Sequence, residues 1–104
     1  MYLFLDTETT GLPKRWDAAT SDLENWPRLV QIAWIYCDHA GNKILSKSKI
    51  IKPEGFIIPN ESSKVHGITT EIAKKKGVSL KKVLTEFLST MNQSKFLIAH
   101  NMSF

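Results

Sequence analysis

Hydrophobic residues occur in short runs separated by polar turns and in one longer periodic stretch. Runs of large apolar residues lie at 2–5, 29–37 and 96–99, and the run at 43–52 mixes isoleucine and leucine with lysine and serine. Short apolar runs bounded by turn residues are typical of β-strands. Residues 80–91 instead repeat apolar positions at the i, i+3, i+4, i+7 spacing of an amphipathic helix. The pattern therefore predicts strands and helices combined in an α/β domain.

The order of these segments predicts how the strands pair. The turn at 38–42 is short, so the strands on either side of it are expected to form an antiparallel hairpin. In that hairpin 29–37 is nearly all apolar, as in a central strand, and 43–52 has the lysines of an edge strand. The run at 96–99 follows a helix and is expected to be a short buried strand parallel to the first strand.

Capping residues mark three helical segments. Asn60, Thr69 and Ser79 each precede a segment that can become helical, and each can cap it. The segment after Thr69 covers 70–76 and ends at Gly77, a usual position for glycine after a helix. Its three terminal lysines lie where the helix dipole favours cations, so we interpret them as a solvated helix end.

Composition narrows the class of protein further. At 104 residues the chain forms one domain at most. No apolar run approaches the ~20 residues of a membrane span, and the N-terminus lacks the features of a signal peptide. The single cysteine allows no internal disulfide, which fits a cytoplasmic protein. The net charge of +4 supports a polyanionic partner only weakly.

Two acidic residues directly follow the first apolar run. In an extended chain Asp6 and Glu8 project from the same face, because side chains alternate between the two faces of a strand. Neighbouring carboxylates repel each other, and a divalent cation between them relieves that repulsion. The alternative is that both acids simply end a strand in solvent. The apolar run before them and Thr9-Thr10-Gly11 after them favour a metal site.

Phe4-x-Asp6-x-Glu8-Thr9-Thr10-Gly11 resembles the first motif of the DEDD 3′–5′ exonucleases. By pattern it is most similar to the proofreading (epsilon) subunit of bacterial DNA polymerase III and its stand-alone relatives. Three further blocks resemble the same family in the same order and extend the resemblance to the whole chain. They are Arg28-Leu29-Val30-Gln31-Ile32-Ala33, Val65-His66-Gly67-Ile68-Thr69 and His100-Asn101-Met102-Ser103-Phe104.

The resemblance implies a ribonuclease H-like fold, a mixed sheet flanked by helices, here truncated after its fourth strand. Residues 1–104 would be the N-terminal part of a single exonuclease domain. In the family a third metal-binding aspartate follows the position of Phe104, and a general base and a fourth carboxylate come later. The resemblance thus implies that this chain alone is inactive.

The resemblance also assigns roles to particular residues. Two Mg²⁺ or Mn²⁺ ions would offset the charge of the scissile phosphodiester and activate water. Asp6 would bridge both ions, and Glu8 would bind the ion on the side of the nucleophile. His100 is more easily explained as structural. The residues that would contact the terminal nucleotide or orient the second motif are Thr9, Gly11, Leu12, Glu61, His66, Asn101 and Phe104.

The implied substrate is nucleic acid with a free 3′ end, and a DNA polymerase is a possible partner. DNA proofreading, repair and RNA turnover are not distinguished by the sequence. The first alternative is a non-catalytic nucleic-acid-binding or polymerase-associated module, and the second is a structural fragment without activity. Trp16 and Trp26, in the loop after the first strand, could stack on a base or pack the loop, with packing favoured for Trp26.

Overall fold

The computed structural model describes residues 1–11, 15, 17–19, 21 and 26–99. These residues form four strands and three helices, with strands and helices where the sequence pattern predicts them. The strands are β1 (Tyr2–Thr9), β2 (Leu29–Cys37), β3 (Lys43–Ile50) and β4 (Phe96–Ala99), and the helices are α1 (Asn60–His66), α2 (Thr70–Lys76) and α3 (Leu80–Asn92).

The four strands form one mixed sheet in the order β3-β2-β1-β4. β2 is antiparallel to both β1 and β3, and β4 is parallel to β1. The predicted hairpin, the central place of β2 and the parallel pairing of the last strand with the first are therefore confirmed. No helix in the described part of the chain is long and apolar enough to cross a membrane.

Helix α3 packs against one face of this sheet. Leu3 of β1 and Trp34 of β2 are fully buried beneath Val83 and Phe87 of α3. The rings of Trp34 and Phe87 meet edge to face, with their centroids 5.4 Å apart. Ser79 caps α3 by accepting a hydrogen bond from the Lys82 amide at 3.4 Å, as predicted. The apolar stripe of α3 is not uniformly buried, however, because Leu88 is 45% exposed at its margin.

The opposite face of the sheet, which we call the distal face, retains exposed apolar side chains. Phe4 is 42% exposed, and its neighbours across the strands are Ile35 of β2 and Ile98 of β4. Phe96 of β4 is 51% exposed and stacks on Tyr2, with ring centroids 5.5 Å apart. The prediction that β4 is buried is therefore wrong. The strand lies at a sheet edge and only one face of the sheet is covered by α3.

A second, smaller hydrophobic cluster packs the segment that contains α1 and α2 against the end of the β2–β3 hairpin that lies away from its turn. Val30, Ile58, Ile68 and Ala73 are buried together there. α2 begins as predicted, with the Thr69 hydroxyl accepting a hydrogen bond from the Ile72 amide at 3.2 Å. These contacts place α1 beside the carboxyl end of β1.

Two helix ends differ from the prediction. α1 starts at Asn60, so Asn60 is its first residue and Pro59 takes the capping position without a side-chain hydrogen bond. Gly77 ends α2 in an extended conformation, with φ of −73°, rather than the left-handed one usual after a helix. Glycine is required at this position for steric reasons, because a Cβ there would lie 2.6 Å from the Lys52 backbone nitrogen.

Candidate active site

β1 presents the two predicted carboxylates on the distal face. Leu3 and Leu5 point towards α3, so the alternation of the strand directs Asp6 and Glu8 to the other side. Asp6 lies opposite Ala33 and Glu8 opposite Gln31. Their α-carbons are about 6.6 Å apart along an extended strand. Asp6 is exposed, and one of its oxygens accepts a hydrogen bond from the Thr7 amide at 2.9 Å.

Helix α1 faces Glu8 across a small cavity of about 190 Å³. The helix contributes one side, through positions spaced three and four apart, and the end of β1 contributes the other. The Ser62 hydroxyl fixes the two together by donating a hydrogen bond to the Thr10 carbonyl oxygen at 2.5 Å. The residues that line the cavity are Thr7, Glu8, Thr9, Gly11, Ser62, Val65 and His66.

His66 offers a hydrogen-bond donor at this cavity. Its Nδ1 accepts the Ile68 amide at 3.1 Å, so the ring proton of the neutral imidazole is assigned to Nε2. Nε2 is buried and has no hydrogen-bond partner among the described residues. A buried donor without a partner costs about 1–3 kcal/mol. An acceptor atom of a ligand in the cavity would relieve that cost.

The loop that follows β1 is fastened to β2 as well as to α1. The Thr10 amide donates to the Arg28 carbonyl at 3.0 Å, and the Arg28 amide donates to the Thr10 hydroxyl at 2.9 Å. The Thr9 hydroxyl donates to the Gly11 carbonyl at 2.8 Å. Hydrogen bonds to Arg28, directly before β2, and to Ser62 of α1 thus determine where the backbone around Thr9 and Thr10 lies. This is the support a backbone needs if it is to position a substrate.

The donor set at the end of β1 suits a hard divalent cation but is small. Asp6 and Glu8 supply carboxylate oxygens, the ligands that Mg²⁺ and Mn²⁺ prefer. Among the residues that the structure describes, no group of three or more histidine, cysteine, aspartate or glutamate side chains could hold a metal ion. The two carboxylates therefore fit part of a metal site.

The structure brings together some of the residues that the sequence singled out. Glu8, Thr9, Gly11 and His66 share the cavity. Asp6 lies one step back along β1, in a shallow hollow of about 160 Å³ beside Phe4, Ala33 and Ile35.

Other assigned residues lie apart from the cavity or outside the description. Glu61 is exposed in the first turn of α1, about 140° around the helix from His66. Its contact with a nucleotide stays a prediction. Trp26 donates a hydrogen bond from Nε1 to the Ala19 carbonyl at 2.8 Å, which fits the packing role. The assigned positions that lie outside the described residues are Leu12, Trp16, His100, Asn101 and Phe104.

Ser62 was not identified from the sequence, although it connects α1 to the loop after β1. A usable signal is its spacing, since Ser62 lies four residues before His66 and shares its helix face. Gln31 was missed as well. It lies across from Glu8 and donates a hydrogen bond to the Ser48 hydroxyl at 3.1 Å. Only the register between β1 and β2 shows that Gln31 is a neighbour of the carboxylates.

Solved structures with a similar fold include exonucleases. Escherichia coli exonuclease I in complex with a dT13 oligonucleotide is 23% identical, with a TM-score of 0.75 over 96% of this chain and 20% of that one. The moderately thermophilic exonuclease I from Methylocaldum szegediense is 22% identical, with a TM-score of 0.76 over 96% of this chain and 20% of that one. The chain thus spans about a fifth of these relatives. The α/β, ribonuclease H-like fold of exonucleases is confirmed.

Sequence comparisons identify the family. No curated protein matches the chain. A family model described as "Exonuclease" (RNase_T) matches residues 3–104, which include Asp6 and Glu8 of β1 and His66 of α1. The match covers nearly the whole sequence, and the chain therefore belongs to the RNase_T exonuclease family.

Proposed function

We propose that this chain is the N-terminal part of a metal-dependent 3′–5′ exonuclease of the DEDD type. The observation that carries the proposal is the placement of Asp6 and Glu8. Both project from the end of a central strand, on the face that α3 leaves uncovered, and Glu8 lines a cavity shared with His66. A chain of an exonuclease family that keeps two carboxylates at a cleft is suited to hydrolysis rather than to simple binding, since carboxylates repel phosphates without metal.

Asp6 and Glu8 would hold Mg²⁺ or Mn²⁺, together with ligands from further along the protein. Bound there, the ions would offset the negative charge of the phosphodiester and lower the pKa of the attacking water. Asp6 is the more exposed of the two carboxylates, and Glu8 is closer to α1. In this proposal Asp6 would be the ligand shared by both ions, and Glu8 would bind the ion on the side of the nucleophile.

The remaining cavity residues would position the terminal nucleotide. His66 would donate from Nε2 to an oxygen of its sugar or phosphate, since this buried donor has no partner among the described residues. The backbone at Thr9 and Gly11 would follow the nucleotide along the other side of the cavity. Ser62 and Thr10 would act as positioning residues, because their hydrogen bond keeps α1 at a fixed distance from β1.

For the substrate we propose single-stranded DNA with a free 3′ end, in proofreading or repair. Among the structures with this fold, exonuclease I of E. coli is bound to dT13 and to other DNA oligonucleotides. A role like that of the epsilon subunit, with a DNA polymerase as partner and a cytoplasmic location, is the most specific form of the proposal.

The test is Mn²⁺-dependent digestion of a 3′-labelled single-stranded DNA by the protein extended beyond Phe104. The extended protein is expected to release labelled mononucleotides, and Asp6→Asn should lower the rate at least a hundredfold, roughly the cost of losing one charge-stabilising group. Glu71→Gln is the matched control. It removes an exposed carboxylate in the first turn of α2 and should leave the rate unchanged.

Two companion substrates make the test decisive. A 5′-labelled copy should yield a ladder of labelled products that are shortened from the 3′ end. An RNA copy of the same sequence decides between DNA and RNA as the substrate. Binding of the oligonucleotide without shortening by the extended protein would overturn the catalytic assignment. In that case the non-catalytic binding module would be the better description.

A further inference from the structure

Lysines accumulate on the side of the molecule where the edge strand β3 meets the start of α3. We call this surface the basic edge. It carries one carboxylate, Glu86 of α3, beside five positive charges. The lysines of the basic edge are Lys47 and Lys49 on β3, Lys52 just after it, and Lys81 and Lys82 on α3.

Contacts show that the basic edge is one continuous surface. Lys47 Nζ lies 2.9 Å from Glu86 Oε1. That hydrogen bond, together with the charges of Lys47, Lys49 and Lys82, lowers the pKa of Glu86. The charges of β3 and α3 thus surround the same carboxylate.

Two further features extend this surface along the start of α3. The Lys52 amide donates to the Val78 carbonyl at 2.9 Å, which places Lys52 beside the turn into α3. A groove of about 450 Å³ runs along the first turns of the helix. It is lined by Ser79, Lys81, Lys82, Thr85 and Glu86.

Local structure accounts for only part of these charges. Lys74 to Lys76 lie in the last turn of α2, where the helix dipole favours cations. Lys81 and Lys82 lie in the first turn of α3, which has no acidic residue and where the dipole disfavours positive charge. Lysines on an edge strand discourage aggregation, which explains β3 alone. A bound polyanion would explain both sets of lysines.

The basic edge also lies close to the carboxylates. Thr7, Ile32 and Lys49 form one row across β1, β2 and β3 on the face that packs against α3, so the backbone of Lys49 lies about 10 Å from the backbone between Asp6 and Glu8. The distal face is polar in this direction, because Gln31 is hydrogen-bonded to the exposed Ser48. Lys47 and Lys49 project from the other face of β3, the one that faces α3, so a strand leaving the carboxylates in this direction would cross polar side chains and pass around the edge of β3 to reach them.

We propose that the basic edge binds phosphates of the nucleic-acid strand outside the cleavage site. The inference rests on the proposed function, since it takes nucleic acid as the ligand. Lysine ammonium groups contact phosphates without reading bases, so the surface would bind any sequence and would raise the residence time of the substrate. Each phosphate contact releases counterions, so binding here would weaken steeply with salt.

The experiment measures fluorescence anisotropy of a labelled oligothymidylate of about 20 nucleotides, in EDTA, between about 50 and 200 mM salt. EDTA removes metal, so the oligonucleotide is not hydrolysed and no metal at the carboxylates contributes to binding. The test variant is Lys49→Gln with Lys82→Gln, which leaves the Lys47–Glu86 pair intact. Loss of two phosphate contacts should reduce the salt slope by about 1.4 and the affinity at low salt at least about tenfold.

The control is Lys74→Gln with Lys75→Gln, which removes the same charge from the end of α2. It should stay within about twofold of the wild type. An equal loss in the control, or no loss in the test variant, would overturn the proposal. Effective competition by polyglutamate at equal charge would overturn it in favour of an acidic protein partner.

The binding assay is run in EDTA and changes Lys49 and Lys82, whereas the digestion assay is run in Mn²⁺ and changes Asp6. Binding at the basic edge therefore succeeds or fails independently of the digestion assay. A protein that binds through these lysines but does not cleave would overturn only the proposed function. A protein that cleaves but binds equally well without Lys49 and Lys82 would overturn only the basic edge.

Discussion

The two faces of β1 differ sharply although they belong to the same eight residues. On one face Leu3 is fully buried under α3, and on the other Phe4 is 42% exposed. The side chains on the face that packs against α3 serve the hydrophobic core. The distal face carries Asp6 and Glu8 at one end and apolar side chains at the other.

The comparison shows how one strand serves stability and chemistry at once. A carboxylate under α3 would lose its hydration without a partner and would shift its pKa or destabilise the fold. On the distal face the same groups stay hydrated and open to a cation. Strand alternation separates these functions, so substitutions on the two faces should have different consequences.

The largest expected effect comes from the packed face. Leu3→Ala should lower the free energy of unfolding by about 3 kcal/mol, because it leaves a cavity beneath α3. Phe4→Ala, one residue further on, should cost less than about 1 kcal/mol, since the ring is partly solvated already. Urea denaturation of both variants measures the difference. Equal losses would mean that the distal face is covered in solution.

A smaller effect is expected where α1 supports the distal face. Ser62→Ala removes the hydrogen bond to the Thr10 carbonyl and should cost about 1 kcal/mol. Ser89→Ala, at an exposed position of α3, corrects for the helix propensity gained by alanine. In the extended protein Ser62→Ala should also raise KM. Unchanged stability relative to Ser89→Ala would show that this hydrogen bond does not hold α1 in place.

The ion pair beside the packed face should stabilise the fold at neutral pH and lose this contribution at acid pH. The hydrogen bond from Lys47 lowers the pKa of Glu86 below its usual 4.5. The pair thus stabilises the fold above about pH 4.5, and this contribution is lost as the pH falls through the lowered value. Because both side chains are more than a third exposed, Glu86→Gln should cost at most about 0.5 kcal/mol at neutral pH.

Thermal unfolding from about pH 7 down to about pH 3, at constant ionic strength, measures this effect. The wild type and Glu86→Gln should converge at the acid end. A difference that persists there would assign the stabilisation to packing of the side chain rather than to charge.

The smallest effect on stability is expected at the carboxylates themselves. Asp6→Asn should change the free energy of unfolding by less than about 0.5 kcal/mol without metal, because Asp6 is exposed. Millimolar Mn²⁺ should raise the Tm of the wild type and of Glu71→Gln but not that of Asp6→Asn. An equal Mn²⁺ shift in all three proteins would place the cation elsewhere.

Much of the fold could be predicted because local patterns agree with it. The helix capped by Ser79, the hairpin around 38–42 and the parallel return of the last strand all follow from periodicity, turns and connection rules. The burial of β4 could not be predicted in the same way. Its sequence is fully apolar, yet Phe96 and Ile98 remain exposed because they lie on the distal face, which α3 does not cover, at the edge of the sheet.

The candidate site divides along similar lines. The sequence alone placed Asp6 and Glu8 on one face of a strand, because alternation is a local property of extended chains. Sequence pattern and family resemblance also indicated His66. Neither showed that Ser62 ties α1 to the loop after β1.

Only the tertiary structure decided the contacts between residues that are far apart in the chain. The Ser62 hydroxyl meets Thr10 across 52 positions, and Lys47 meets Glu86 across two elements. Such pairs depend on strand register and helix docking, which arise from packing the whole domain and leave no local signal. The sequence by itself determined which chemical groups β1 carries and where they point. The tertiary structure decided which groups from elsewhere face them.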